Sequence, residues 1–411
     1  MSTPTLNPVV AGAVSAVSGW FRTVGSAAAT AEPGVVPWLF AAFLLVLGVA
    51  GLIYYLTTLN KMETPANIRR LTQAATQAQK AYAISNPKRL GLRDYLRQQT
   101  AAGVPKEQQM LCNFYISTVT TAGLYFPASG GVISPEAVRT AVLAGARGFV
   151  FDVYPDLQPS ANYAPIVQVV EAGSNWRRIS LNQASFASLL RPLVEEAFEI
   201  PTRPGHEDPV LLYIRFRGKP RAATFQGVAD AIRGIAGAYR LDASYGNCRR
   251  AGSLGQTPLS QLFKKLVVFS NKTATGTAFD EVVNAGPADG RPLEVAVSDL
   301  KGQSDAARTA LIKTTKQNVV WVAPAAEGGE AEKNVVAFKE AQASGISCVA
   351  LNFWNNEDTL RTAMAPGMFG KASFAVKPVN LRIIPEFRAP PGQPSASLNV
   401  GDGRPRVGTG L

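Results

Sequence analysis

The sequence has very few of the side chains that most enzymes use for proton transfer. His206 is the single histidine among 411 residues. Imidazole is the side chain whose ordinary pKa lies closest to neutral pH, so any mechanism that needs two histidines is excluded. The three cysteines, Cys112, Cys248 and Cys348, are odd in number and widely spaced. They fit neither a disulfide framework nor a zinc site, and they favour a reducing compartment.

Acidic residues are scarce relative to basic ones. Lys plus Arg number 41 against 29 for Asp plus Glu, and the formal net charge is +12 at pH 7. This excess favours contact with an anionic partner, either nucleic acid or a membrane surface. Nucleic acid is not expected as the partner, because the cations are spread out and no basic platform interleaved with aromatic residues occurs.

Charge is absent from one long stretch near the N-terminus. Residues 1–36 are a small-residue segment without the basic start of a secretory signal peptide. Residues 38–59, which begin at Trp38 and end at Leu59, contain no charged side chain. A helix of that length is about 33 Å long, enough to cross a hydrocarbon layer of about 30 Å. We therefore predict a transmembrane helix at residues 37–59, with a lipid bilayer as its partner.

Residues 60–110 carry nine basic side chains against three acidic ones. The positive-inside rule then predicts a single-pass membrane protein whose C-terminal part lies on the cytoplasmic side. An Ala/Gln-rich stretch at 67–83 predicts a basic helical stalk, which is either solvated or a surface for a partner. The competing interpretation is a polybasic collar on anionic lipid, worth about 1 kcal/mol per well-placed cation.

Residues 111–378 alternate β-rich runs with helical stretches, and we predict helices at 134–144, 185–198, 223–238 and 305–315. Several of the strands are apolar on both faces, as is typical of parallel strands covered by helices. This pattern predicts an α/β fold, a closed eight-stranded barrel of the TIM type. Residues 379–411 are rich in Pro, Gly and Arg and predict a flexible tail. The candidate strands are NFYISTV, GFVFDVY, PIVQVV, PVLLYIRF, KLVVFS, LEVAVSD, NVVWVAP and CVALNF.

The order and flanking residues of these runs resemble the catalytic (X plus Y) barrel of phosphoinositide-specific phospholipase C. In the first half the similar segments are FYIST at 114–118, GARGFVFDVY at 145–154 and PVLLYIRF at 209–216. In the second half they are GISCVALNFWN at 345–355 and MFGKASFAVKP at 368–378, the most specific match. The resemblance implies the fold of that barrel over most of residues 111–378.

The resemblance also implies a chemistry whose residues are missing from this chain. The family uses two histidines and a calcium ion held by Asn, Glu, Asp and Glu. A metal or other cofactor is not expected here, because calcium needs six to eight oxygen ligands. Some bacterial relatives replace calcium with arginine, but they keep both histidines. The family's histidines and calcium ligands correspond here to Thr120, Thr121, Val150, Asp152, Val169 and Arg215, and its phosphate-binding lysine to Phe269.

Two hypotheses concern the charges at the expected barrel mouth. Arg215 either replaces the calcium ion by pairing with Asp152 across the mouth, or each side chain points separately to solvent. A basic cluster is either a binding site for a phosphate-bearing head group or solvated surface charge. His206 is expected in an exposed loop at the opposite end of the barrel, and Glu294 is interpreted as a solvated loop charge. The basic candidates are Arg215, Arg217, Lys219, Arg221 and Lys272, with Lys264 and Lys265 nearby.

These patterns predict a membrane-anchored, catalytically inactive relative of phospholipase C with a structural or scaffolding role. Its expected partners are other structural proteins, contacted through the barrel loops, the stalk and the tail. One setting that suits such a tether is the inner membrane of a large DNA virus, where the chain joins lipid to capsid as a minor capsid protein. The alternatives are a module that binds phosphoinositide or other anionic lipid and, less favoured, an active phosphodiesterase that depends on Asp152.

Overall fold

The computed structural model describes residues 89–385 with gaps. Residues 1–88 and 386–411 lie outside the described part of the chain. These ranges hold the predicted N-terminal segment, the predicted transmembrane helix, most of the stalk and most of the tail. The internal gaps are 121–132, 159–160, 169, 171–179, 181, 243–244, 246–253, 275, 288–292, 301, 324–337, 354–362 and 364–366.

The structure corrects the localisation predicted from the sequence. None of the helices in the described residues combines the length and the apolar composition that a membrane span requires. The longest of them, Ala222–Ala236, has 15 residues and measures about 22 Å, short of a hydrocarbon layer of about 30 Å. The segment 37–59, on which the single-pass prediction rests, lies outside the described residues.

A mixed sheet organises the described residues. The strands are β1 Phe114–Val119, β2 Gly148–Pro155, β3 Pro165–Val167, β4 Ala184–Ser185, β5 Val210–Phe216, β6 Leu266–Ser270, β7 Trp321–Val322, β8 Cys348–Leu351 and β9 Phe374–Val376. The parallel part of the sheet runs in the order β6, β5, β2, β1, β8, β7, and β9 pairs antiparallel with β1. Strands β3 and β4 extend the carboxyl end of β2 as an antiparallel meander.

The described strands form a mixed α/β sheet, and they do not by themselves show the predicted closure into an eight-stranded barrel. The run PIVQVV forms only the short antiparallel β3, so β2 and β5 become direct neighbours in the parallel part. The run LEVAVSD contributes one isolated bridge, from Glu294 to Trp321 of β7. On the side of β6, Phe269 makes one isolated bridge to Ala285. Residues 286–292 between these bridges read GPADGRP, a composition that disfavours strands. Within the described residues, no continuous ladder joins β6 to β7.

Helices cover the outer face of this sheet, and their starts follow local chemistry. Ser134 accepts a hydrogen bond from the Glu136 amide, with Pro135 at the first helical position, and Ser304 caps its helix in the same way. The four helices predicted from periodicity are present. The helices are α1 Leu92–Ala101, α2 Pro135–Leu143, α3 Phe186–Val194 (extended by a wide turn, Glu195–Glu199), α4 Ala222–Ala236, α5 Val297–Leu300, α6 Asp305–Gln317 and α7 Phe338–Ala343.

Strand alternation divides the core into two layers. On β2, Phe149 and Phe151 face outward and pack with buried helix residues, whereas Val150 belongs to the inner cluster. Tyr213 of β5 and Trp321 of β7 share this inner cluster. Leu92, Tyr95 and Leu96 of α1 belong to it as well. The core therefore begins before residue 111, the predicted start of the barrel, and the described end of the predicted stalk packs onto the sheet.

Candidate functional site

The candidate site lies at the carboxyl ends of β2 and β5. Asp152 and Arg215 are cross-strand neighbours in this parallel pair, and each is at most 2% exposed. The Nη2 atom of Arg215 donates to Oδ2 of Asp152 at 2.8 Å, and Nε of Arg217 donates to Oδ1 at 2.8 Å. The expected pairing of Arg215 with Asp152 is confirmed. It joins adjacent strands rather than opposite sides of a mouth, because β3 leaves the parallel sheet.

Glu294 completes the same network from the other side of Arg215. The Nη1 atom of Arg215 donates to Oε1 of Glu294 at 2.9 Å, and the Tyr213 hydroxyl donates to Oε2 at 2.7 Å. The interpretation of Glu294 as a solvated loop charge is wrong, because its bridge to Trp321 aims it at the guanidinium. Arg215 thus lies between two carboxylates. We call Asp152, Tyr213, Arg215, Arg217 and Glu294 the mouth network.

The surroundings of Asp152, Arg215 and Tyr213 shift the pKa of each group away from neutral pH. Burial alone would raise the pKa of Asp152, but the guanidiniums of Arg215 and Arg217 outweigh it and hold that pKa below its ordinary value. Burial likewise opposes the charge on Arg215, yet Asp152 and Glu294 raise its pKa above the ordinary value. Burial and Glu294 together raise the pKa of Tyr213. At neutral pH Asp152 is therefore ionised and Tyr213 neutral, and neither is poised to exchange a proton.

Aromatic rings pack beneath the network. The ring centroids of Tyr213 and Trp321 lie 5.1 Å apart, and those of Phe269 and Trp321 lie 5.3 Å apart. Phe269 occupies the position that the resemblance gives to a phosphate-binding lysine, and it is 1% exposed. This wall is apolar and offers no charge to a phosphate group.

The other family positions provide no acid or base in the described residues. Val150 is fully buried in the inner cluster, and Thr120 is 2% exposed just after β1. Thr121 and Val169 lie outside the described residues. His206 lies in the loop before β5, at the amino end of the parallel strands, where its Nδ1 is 3.1 Å from the Arg203 carbonyl oxygen. It is half-buried rather than exposed as predicted, whereas its place at the opposite end agrees with the prediction.

The basic candidates divide into one buried and several accessible side chains. Arg215 is buried, and its Nη1 and Nη2 atoms donate to carboxylates, whereas the Arg217 side chain keeps 27% of its surface exposed. Lys219 is exposed. The Arg221 guanidinium lies 3.9 Å from the centroid of the Tyr163 ring, and Nζ of Lys272 donates to the Gly218 carbonyl at 3.0 Å. The accessible positive charge at the mouth therefore comes from residues 217–221 and Lys272.

Calcium does not fit the donor set that the structure describes. The two oxygens of Asp152 each accept from a guanidinium, and both oxygens of Glu294 are hydrogen-bonded as well. No cluster of three or more His, Cys, Asp or Glu side chains that could hold a metal ion occurs among the described residues. A guanidinium also occupies the space between the carboxylates, so no step through a metal is derived for this site.

Comparisons with known proteins give a likeness in structure without one in sequence. No family model matches the chain, and no curated protein sequence matches it. The structure is similar to PLC21 of S. officinalis, with 16% identity and a TM-score of 0.51, and to PLC21 of L. pealei, with 16% identity and a TM-score of 0.50. Each match covers 68% of this chain and 38% of the other.

A bacterial enzyme aligns more weakly. A calcium-dependent phosphoinositol-specific phospholipase C from Pseudomonas aligns over 63% of this chain and 97% of its own, at 8% identity and a TM-score of 0.40. The chain spans well under half the length of the PLC21 proteins, so the likeness concerns their fold and not their whole activity. Together with the segments quoted above, it confirms the resemblance: the described residues have the fold of phosphoinositide-specific phospholipase C catalytic domains.

Proposed function

We propose that this chain is a catalytically inactive phospholipase C-like domain with a structural or scaffolding role. The observation that carries the proposal is the mouth network. The guanidinium of Arg215 lies where the resemblance expects a calcium ligand, and it pairs with Asp152 and Glu294 at 2.8 and 2.9 Å. Both carboxylates are thereby committed to internal ion pairs and are not available to a metal ion or a substrate hydroxyl.

The missing proton-transfer groups support the same conclusion. The family's reaction needs an acid and a base beside the phosphodiester, and a threonine hydroxyl such as that of Thr120 does not titrate near neutral pH. His206, the only histidine of the chain, lies at the amino end of the parallel strands, away from the mouth. Charged groups held at fixed protonation stabilise a fold but do not shuttle protons.

A scaffold of this kind would act through contacts with other proteins. The fold offers accessible loops at both ends of the strands, and α1 extends the core beyond the sheet. We propose that partners contact the loops, the segment before β1 and the C-terminal tail. Because the buried charges of the mouth network pair with one another, we expect partners to bind the surface of the domain rather than its former active-site pocket.

Hydrolysis of inositol lipid by the full chain is the direct test. Vesicles that contain a phosphoinositide are incubated with the protein and calcium, and released inositol phosphate is measured. We expect no release above a protein-free blank. Calcium-dependent release that Asp152→Asn abolishes, while the exposed control Arg97→Gln leaves it unchanged, would show an active phosphodiesterase and refute the proposal.

The second candidate function is binding of anionic lipid at the same mouth, without cleavage. It is favoured by the accessible cations there. Burial and the neighbouring Arg217 lower the pKa of Lys272, so two cations repel each other at this rim. A phosphate-bearing head group would supply the missing negative charge.

Co-sedimentation of the full chain with vesicles distinguishes the two candidates. The vesicles differ only in whether they contain a phosphoinositide, and the salt concentration is physiological. Binding at the mouth predicts selective pelleting that Lys219→Glu weakens. The matched control Lys106→Glu makes the same charge change at an exposed site before β1, at the other end of the strands, and should leave pelleting unchanged. Equal pelleting with both vesicle types would favour the scaffold alone.

A further inference from the structure

A cavity at the amino end of the strands contains arginines that the mouth does not use. It lies between the turn from α2 to β2 and the loop before β5, and its volume is about 190 Å³. Three guanidiniums line it, with one carboxylate. We call it the arginine cavity. Its charged residues are Arg89, Arg147, Arg203 and Glu196, and Gly145 forms part of its wall.

The positive charges of the arginine cavity are unequally satisfied. Arg147 is 4% exposed and donates to the carbonyl oxygens of Val142, Ala146 and Gly205 at 3.3, 2.8 and 3.0 Å. Arg203 pairs with Glu196. The buried Nε atom of Arg89 has no hydrogen-bond partner among the described residues.

The fold leaves room for the Arg89 guanidinium in this place. Gly145 has a φ of +95°, and a Cβ atom there would come within 1.4 Å of Nη1 of Arg89. A glycine therefore both permits the turn and leaves room for the guanidinium. Burial and the nearby Arg147 lower the pKa of Arg89 to about 10, and Asp208 offsets this only in part. A cation is thus held next to another cation, at an energetic cost that a bound anion would relieve.

We propose that the arginine cavity binds an oxyanion of the phosphate or carboxylate class, with Arg89 as its principal ligand. The planar fork of a guanidinium matches two oxygens of either group. Arg203 lines the same cavity and can donate a hydrogen bond to the ligand. Arg147, whose donors bind backbone carbonyls, adds electrostatic attraction without direct contact. The site is independent of the mouth, since it lies at the other end of the strands and shares no residue with the mouth network.

Titration of the full chain with inorganic phosphate tests the site. Binding is followed by calorimetry and by the shift in unfolding temperature, with chloride as the reference anion at equal ionic strength. We expect saturable binding and a rise in the unfolding temperature. Loss of one charge-assisted contact in Arg89→Gln should weaken binding by about 10- to 100-fold. Acetate titrated in the same way distinguishes a carboxylate site from a phosphate site, and a preference for either supports the proposal.

Matched variants keep the test decisive. Arg97→Gln removes a guanidinium of the neighbouring helix that is 74% exposed and pairs with Asp94, and this variant should bind phosphate like the parent. Arg203→Gln gives a second lesion, should Arg89→Gln unfold when measured without phosphate. Wild-type protein that responds equally to phosphate, acetate and chloride would overturn the proposal. So would undiminished phosphate binding by folded Arg89→Gln and Arg203→Gln.

Discussion

The two ends of the parallel strands each bury an aspartate beside arginine, with opposite electrostatic results. Asp152 at the carboxyl end and Asp208 at the amino end are 0% and 2% exposed. Guanidiniums lower the pKa of Asp152 despite its burial. Burial raises the pKa of Asp208 to about 6, although Arg147, Arg89, His206 and the Leu92 amide all act to lower it.

Contact geometry explains the difference. Asp152 accepts two charge-assisted hydrogen bonds at 2.8 Å. The nearest guanidinium nitrogen to Asp208 is Nε of Arg147 at 3.8 Å, and its close partner is the neutral amide of Leu92 at 2.7 Å. The Nη1 and Nη2 atoms of Arg147 donate to backbone carbonyl oxygens instead. At equal burial, direct hydrogen bonding rather than the mere presence of an opposite charge decides whether an ionised acid stabilises the fold.

Removal of Arg215 should have the largest effect on this comparison. Arg215→Met removes one of the two guanidiniums that bind Asp152 and, among the described residues, the ionic partner of Glu294. Loss of one member of a buried ion pair costs about 3 to 5 kcal/mol, and we expect that decrease in the free energy of unfolding by urea. Arg97→Met, at an exposed guanidinium, is the matched control. A loss below about 1 kcal/mol would show that the network is not held by charge.

The pH dependence of stability should separate the two aspartates. The folded pKa of Asp208 is raised from 3.8 to about 6, so the folded state holds this proton longer and the free energy of unfolding falls as pH rises from about 4 to 6. The shift corresponds to roughly 3 kcal/mol. In Asp208→Asn the side-chain oxygen can still accept the hydrogen bond from the Leu92 amide. This variant should therefore lose the Asp208 contribution to the decrease in the free energy of unfolding, as measured by urea unfolding across that pH range.

Two comparisons keep that measurement specific. Asp94→Asn, an exposed carboxylate on α1, should follow the wild-type pH curve. Asp152 has the opposite sign, since its lowered pKa gives stability that is present above pH 3.8 and is lost as pH falls through the folded value. Parallel pH curves for wild type and Asp208→Asn would mean that Asp208 is not held at a raised pKa.

The sequence predicts the elements of this fold better than their pairing. The start of α2 follows from Ser134 and Pro135, and the strand residues of β2 and β5 follow from apolar runs and from the resemblance. The departure of β3 from the parallel sheet could not be predicted, because a short apolar run specifies a strand but not its neighbour. That departure places Asp152 beside Arg215 on adjacent strands.

The candidate site shows the same limit. The matched positions predict Asp152 and Arg215 but neither Glu294 nor Tyr213. For Tyr213 the sequence does hold a signal, because alternation in VLLYIRF places it on the same face as Arg215. Glu294 is brought to the mouth network by one bridge near a break in the sheet. Arg89 fits into its cavity because the turn at Gly145 has no side chain there. Both depend on tertiary contacts that no local pattern encodes.

A surface ion pair beside Asp208 should give the smallest effect and test whether burial is the deciding variable. Arg93 and Glu207 approach to 2.9 Å, as close as the mouth contacts, but their side chains are 51% and 36% exposed. Arg93 also lies over the Phe263 ring. Arg93→Gln should lower the free energy of unfolding by less than about 1 kcal/mol, and added salt should shrink the difference. A loss as large as that of Arg215→Met, insensitive to salt, would show that short distance alone confers strength and would remove the contrast between the two ends.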